Sequence, residues 1–530
     1  MRWSTDGQRL TPPSSPTSSA AEATPMNSAQ PNPRGPGHRT PSRRDVDQNE
    51  PGIVLLAEIA AIAGSARTTR VLDLWVDPEA AFTGLLSSER TAAWLDAGSG
   101  AATGWSHLCQ TGPSGYTVLG AAATGGVVVE HLASGRVGAA SGSILEALGR
   151  VPLPVDPGAD GFELGWVGWI GYESGAVELG LDVTAASEPD SAMVFVDRVI
   201  SFDHARRRIV LRTFTGPGAS DWLAATEDAL RGMRPSSSLD ATPSTVPAPA
   251  AAAPAVLRHS ADSYRAMVVE CQAQIAEGEA YQLCLTNQIS VAVRADPVTV
   301  YRRLRRLNPT PRGGLIVVGD LALASSSPEL FLHVRGDGYV ETRPIKGTRP
   351  RGADPRSDEL LRRQLVESEK ERAENVMIVD LMRNDLSRVA QLGSVEVPQL
   401  FAVEPYANVF QLVSTVSARL APGFDALSAV RAAFPAGSMT GAPKVSAMGI
   451  LAGLESGPRG AYAGAFGYLG IGGSAQLSMT IRTVMLDRAS GVATIGTGGG
   501  ITALSQPDEE VAEMILKAQP VLTALGARLG

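Results

Sequence analysis

The sequence predicts a mixed, strand-rich chain in two folded parts joined by a linker. Three observations carry this. Between about 51 and 235, short apolar runs are broken by Gly, Pro and Asp, as in the strands of a mainly antiparallel sheet. Beyond about 259, apolar residues recur at helical spacing before alternation returns. Between the two lies PSSSLDATPSTVPAPAAAAPAV (235–256), a Pro/Ala/Ser stretch with little drive to fold.

Residues 1–50 are rich in Pro, Ser, Thr and Arg. Disorder is expected there, because so few apolar side chains cannot offset the entropy of ordering. The segment also lacks the apolar core of a secretory signal. GIVLLAEIAAIAG (52–64) is too short for a membrane span and is interrupted by Glu58, so it reads as core. Strands are expected in TRVLDLWV, AAWLDAG, GYTVLGAA, MVFVDRVISFD and RRIVLRTF, and tight sheet packing in GWVGWIGYE (165–173).

After the linker, Ser260 is a plausible cap for a helix carrying Tyr264, Met267, Val268, Cys271 and Ile275, ended by Gly278 and followed by a strand. One long helix is expected from about Ser357 to Val379, with Glu371, Glu374 and Ile378 on one face. AYAGAFGYLGI, AQLSMTIRTVMLD and VATIGTGGGI read as strands. The last helix carries Glu510, Glu513 and Lys517 at i, i+3 and i+7.

The net charge of −8 argues against a general nucleic-acid binder, which needs a basic field. Three cysteines, Cys109, Cys271 and Cys284, share no metal or redox spacing; they fit a reducing cytoplasm better than a disulfide framework.

Any anion site must be local, and ETRPIKGTRPRG (341–352) suggests one, with Arg343, Lys346, Arg349 and Arg351 around a tight turn. Two roles stay open for Lys346. It binds an anion, or it attacks as a neutral amine, a form that neighbouring positive charge favours. Glu374 and Glu513 are hard oxygen donors suited to Mg²⁺. IGTGGGI and GSMTGAPK (437–444) both miss the nucleotide-loop patterns, and exposed amides in such loops suit a carboxylate equally well.

SPEL (327–330), RPIKGTRPRG, ERAENVMIVDLMRNDLSRV (371–389), VFQLVSTV (409–416), GSMTGAPK, SMTIRT (478–483) and GTGGG stand in one order. In that order the chain resembles the chorismate-utilising enzymes over 259–530, and GWVGWIGYE resembles their N-terminal half. The resemblance implies an α+β fold with antiparallel sheets from both halves packed face to face and helices outside. It divides the chain into a tail (1–50), an N-terminal half-domain (51–234), a linker (235–258) and a catalytic domain (259–530).

Within the family, anthranilate-forming members resemble P-I-A-G-T where this chain has Pro344-Ile345-Lys346-Gly347-Thr348, so Lys346 points to the branch that forms 4-amino-4-deoxychorismate. Isochorismate-forming members carry a water-activating lysine where Gln282 stands, and anthranilate-forming members a histidine where Gln411 stands.

The implied chemistry is amination of chorismate. Mg²⁺ on Glu374 and Glu513 would hold the ring carboxylate. Arg482, Tyr462 and the Gly496, Thr497 and Gly498 backbone would hold the enolpyruvyl carboxylate, with Gly347, Thr348, Thr440 and Lys517 completing the substrate site. Glu329 would act as acid or base at the C4 hydroxyl, and Lys346 would add at C2.

No cysteine sits in a glutaminase-like elbow, so a separate glutamine amidotransferase subunit is expected to supply ammonia, and a downstream aminodeoxychorismate lyase to take the product. Neither nucleic acid nor membrane is an expected partner. Alternatives are anthranilate formation, which adds pyruvate elimination, and a chorismate-binding subunit without catalysis.

Overall fold

The computed structural model describes residues 50–158, 161–186, 189–233, 252–406 and 408–530. All but Glu50 of the expected tail, and residues 235–251 of the expected linker, lie outside the described residues. Among the described residues the strands form two sheets, of 13 and 12 strands.

Both sheets draw strands from both halves of the chain. In the first, Thr91–Asp96 pairs antiparallel with Gly313–Val318, Ala93 facing Ile316. In the second, Gly165–Ile170 pairs antiparallel with Ala465–Gly470, Gly168 facing Gly467. The glycines of GWVGWIGYE serve this close packing: a Cβ on Gly168 would lie 2.0 Å from the Ala192 carbonyl oxygen.

Because side chains alternate along a strand, the central strands Thr91–Asp96 and Gly313–Val318 of the first sheet feed two cores. Ala93, Leu95 and Ile316 join Trp166, Phe466 and Leu477 of the second sheet in the layer between the sheets. Ala92, Trp94, Leu315 and Val317 face the other way and pack under helices through Phe82, Leu223, Leu304 and Leu522. The fold is α+β, as expected, and GIVLLAEIAAIAG is core: the Pro51–Ala63 helix buries Leu55, Leu56, Ile59 and Ala63.

Four local expectations are corrected. MVFVDRVISFD is two strands, Ser191–Val196 in the second sheet and Arg198–Asp203 in the first. The chain changes sheet at Asp197, whose carboxylate accepts the Gly112 and Ser114 N–H groups at 2.5 and 2.8 Å. AQLSMTIRTVMLD likewise splits into Ala475–Met479 and Thr483–Asp487 in different sheets, and Arg482 sits at that corner with φ +52°. The single long helix is two, Pro355–Glu367 and Glu369–Ser387; Ser368 leaves helical geometry and its hydroxyl accepts the Glu371 N–H, a cap that starts a new helix.

The end of the expected linker is also a strand. Ala253–Leu257 lies between Gln282–Ala292 and Ala527–Leu529, parallel to the latter. Among the described residues no helix is long and apolar enough to cross a membrane, and all three cysteines are unpaired and buried.

Candidate functional site

Lys346 lies in a strand rather than a turn. Ile345–Pro350 pairs with Val409–Arg419, and three steps from Ile345 to Thr348 face two from Val413 to Gln411, which is a bulge. Gly347 sits there at φ +90°, and a Cβ on it would meet Leu365 and Glu371 at 2.8 and 2.9 Å. The bulge lets a long side chain leave the strand locally, and Lys346 brings its Nζ to 3.9 Å from Glu374 Oε2, both side chains nearly buried.

The neighbouring arginines are engaged elsewhere, which corrects the expectation of a four-cation anion site. Arg343 pairs with Glu404, Arg349 with Glu371 at 3.2 Å, and Arg351 with Asp358 at 2.7 Å while covering the Phe410 ring. Each charge is offset by its own carboxylate. Lys346 alone of the four points to the interior acid.

Glu374 projects from the Glu369–Ser387 helix. Burial pushes its carboxyl above the usual range, against the pull of Lys346. Lys370, one turn earlier, stands 3.7 Å from Glu510 Oε1 and so ties this helix to Pro507–Leu525, which carries Glu513. On Glu513 burial acts upward, but Lys517, with its Nζ at 2.6 Å, outweighs it and the carboxyl lies below its ordinary value. Lys517 also donates to the Gly498 carbonyl at 2.9 Å.

The glycine strand Val492–Ile501 runs between these groups. A Cβ on Gly499 would lie 3.0 Å from Glu510 Oε2 and 4.0 Å from Glu513 Oε1. On Gly500 it would lie 2.2 Å from Gln282 Nε2 and 3.2 Å from Lys346 Nζ. Two bare neighbours thus separate a carboxylate side from an amine side, and larger residues would fill both.

Glu329 is 6% exposed. Burial pushes it up to about 7, against the Ser438 hydroxyl, the Lys346 charge and the Ile345 N–H. Gln282 and Gln411 are also buried, and the side-chain oxygen of each has no hydrogen-bond partner. An unpaired buried acceptor is costly unless something occupies it.

A second group gathers at the sheet-crossing corner. Tyr462 packs its ring on Gly496, where a Cβ would be 1.9 Å from Tyr462 Cγ. Burial pushes Arg482 down, while Tyr462 and Glu513 pull it up. Among the described residues no carboxylate forms an ion pair with Arg482, so this half-buried cation is open to an anion.

Two expected site residues spend their hydroxyls internally, Thr497 being expected to bind through its backbone alone. Thr497 donates its hydroxyl to the Met514 carbonyl at 2.5 Å. Thr440, fully buried, directs its hydroxyl to the Ala436, Gly437 and Gly441 carbonyls. Thr348 is exposed. Sequence reasoning missed Lys370, Glu510 and Ser438; the Glu510–Glu513–Lys517 spacing was the one available signal for Glu510.

Glu374 and Glu513 fit a hard divalent cation. Both carboxylates sense Lys346 and Lys370, so they border one space. Among the described residues no three His, Cys, Asp or Glu side chains close on a point, which leaves the remaining coordination to water and substrate oxygens, the usual habit of Mg²⁺.

A sequence profile of the chorismate binding enzymes matches residues 139–523. The chain is 43% identical over 476 residues to an aminodeoxychorismate synthase of Streptomyces pristinaespiralis and 42% over 487 residues to that of Streptomyces griseus. These alignments cover 85% and 88% of this chain but 64% and 66% of the relatives, so the chain spans just under two thirds of their length. Among solved structures, anthranilate synthase component I from Streptococcus pneumoniae superposes with a TM-score of 0.66 at 27% identity, covering 80% of this chain and 93% of that one.

Proposed function

The chain belongs to the chorismate binding enzyme family, and on that premise we propose that it aminates chorismate to 4-amino-4-deoxychorismate. The observation that carries this reading is the Lys346 amine, held 3.9 Å from Glu374 at the place where anthranilate-forming relatives resemble alanine.

Chorismate brings two carboxylates and a C4 hydroxyl. Arg482 and Tyr462, with the strand amides at Gly496–Gly498, suit the enolpyruvyl carboxylate. Mg²⁺ held by Glu374 and Glu513 would supply positive charge for the ring carboxylate and offset the Glu374 charge beside the Lys346 amine. Neutral Lys346 adds at C2; the ring double bonds shift, the C4–O bond breaks, and Glu329 gives its proton to the departing hydroxyl, which leaves as water. Ammonia then bonds to C4, the double bonds shift back, and the C2–N bond to Lys346 breaks. Gln282 has no basic group to activate water, and its free oxygen suits an incoming N–H.

The three cysteines are buried, and burial pushes the Cys109, Cys271 and Cys284 thiols up, unlike an exposed glutaminase nucleophile. This supports a separate glutamine amidotransferase subunit as the ammonia source; unpaired cysteines fit a cytoplasmic setting, and the product suits a downstream lyase.

The purified chain with chorismate, Mg²⁺ and an ammonium salt should yield 4-amino-4-deoxychorismate by mass spectrometry, and glutamine should not replace ammonium until a glutaminase is added. Anthranilate and pyruvate as products, or no amination, would sink this reading. Gly496→Ala should displace Tyr462 and raise the chorismate KM by about tenfold in steady-state assays; an unchanged KM would remove Tyr462 from the carboxylate site.

A further inference from the structure

A buried polar cluster lies behind Tyr462 that none of these steps uses. Arg459 is 5% exposed, Glu455 4% and Glu173 6%. The Arg459 guanidinium donates to both Glu455 carboxylate oxygens at 2.7 Å, to the Met439 carbonyl at 2.7 Å and to the Cys284 carbonyl at 2.9 Å. Its face lies 4.2 Å from the centre of the Tyr172 ring. Glu455 also accepts the Thr286 N–H at 2.8 Å.

The backbone of the same residue is held from the other half of the chain. The Arg459 and Gly460 N–H groups donate to the two Glu173 carboxylate oxygens at 2.6 and 2.9 Å, and the Gly460 carbonyl accepts the Tyr172 N–H at 3.0 Å. Tyr172 and Glu173 open the short helix that follows the Gly165–Ile170 strand.

Each partner leads to a piece of the site. Met439 stands between Ser438, which acts on Glu329, and Thr440. Cys284 and Thr286 belong to the strand that starts at Gln282. Gly460 is two residues from Tyr462. Burying a full charge costs several kcal/mol before its partners repay it, and an apolar side chain would pack these elements more cheaply. What a guanidinium adds is direction, because its fork fixes several acceptors at once.

We propose that Glu173 and Tyr172, acting through Arg459, are positioning residues that set the Tyr462 ring against Gly496, so that the N-terminal half fixes the enolpyruvyl-carboxylate subsite in the C-terminal half. This rests on the reading of the site given above. A glutamine at 173 keeps the shape but presents an amide N–H to one of two backbone donors, and a leucine at 172 removes the ring face under the guanidinium. Tyr172→Phe removes only a hydroxyl that has no hydrogen-bond partner.

The test compares Tyr172→Phe, Tyr172→Leu and Glu173→Gln with wild type by crystal structure, by calorimetric titration with chorismate and Mg²⁺, and by ammonium-dependent kinetics. Tyr172→Phe should match wild type. The other two should displace the Tyr462 ring from Gly496 and raise the chorismate Kd and KM about tenfold, with kcat changed less than about threefold. A lower melting temperature with Tyr462 in place and KM within about twofold of wild type would overturn the proposal and leave a purely structural cluster. Should Tyr172→Leu not fold, the near-isosteric Glu173→Gln decides. The Tyr462 position is read without substrate, so it decides the positioning role even if wild type fails to aminate chorismate, a result that would instead overturn the proposed function.

Discussion

Glu329→Gln should slow ammonium-dependent amination of chorismate by about 10³-fold and leave the chorismate KM within about threefold. The loss follows from removing a buried acid that senses the Lys346 charge. Burial raises the Glu329 carboxyl from its ordinary 4.5 to about 7, so near neutral pH a large share keeps the proton that the leaving hydroxyl needs. That share falls as pH rises through about 7, so the wild-type kcat should decline on the alkaline side where the variant's residual rate stays flat.

The same residue ties activity to stability. Its folded pKa lies above its unfolded one, so the stability from the neutral form is fully present below about 4.5 and is lost as pH rises through about 7. Glutamine stays neutral throughout. The variant should therefore melt close to wild type at pH 5 and above it at pH 8, by a difference approaching about 3 kcal/mol. Equal melting temperatures at pH 8 would mean that the buried carboxylate costs nothing, and a wild-type rate would remove Glu329 from proton transfer.

Lys346→Ala should lower kcat by at least about a hundredfold, with little change in chorismate KM. The Lys346 amine is close to Glu374 and is not needed to hold either substrate carboxylate, so its loss removes reactivity before affinity. Intact-protein mass spectrometry separates attack from orientation. With chorismate and Mg²⁺ but no ammonium, wild type should carry a covalent ring adduct that the variant lacks. A variant that is slow while wild type shows no adduct would assign Lys346 to orientation, and a variant at full rate would remove it from the chemistry.

The outcomes differ by how far along the chain each cause lies. Strands such as Gly165–Ile170 and the Ser260 cap were legible because their causes are local: glycines and aromatics gathered in one short run, a hydroxyl three residues from the N–H that it accepts. Ser368 followed by Glu371 is the same signal, but it was hidden because helical spacing continues on both sides of it. At Thr480–Arg482 the apolar positions shift phase, from Leu477, Met479 and Ile481 to Val484 and Leu486, but a phase shift also fits a bulge in one strand, and only tertiary pairing shows that two sheets share the run.

The arginines around Lys346 failed as an anion site because each has its own carboxylate. Glu404 is 61 residues from Arg343 and Glu371 22 from Arg349, while Asp358 is seven from Arg351, so sequence proximity of the cations alone made them look like one cluster. Glu374 and Glu513 could be assigned a common role only through the order of the family's motifs; that they border one space depends on the Lys370 to Glu510 contact between two helices.

Both hydrogen-bonded seams between the halves, Thr91–Asp96 with Gly313–Val318 and Gly165–Ile170 with Ala465–Gly470, lie inside sheets rather than at their borders. Parting the halves would bare a pair of naked strand edges on each, complementary to one another and prone to pair with any other exposed strand. Neither half can exchange partners or evolve as a detachable module without a new way to cover those edges, so the chain inherits its two halves as one heritable and cooperative unit.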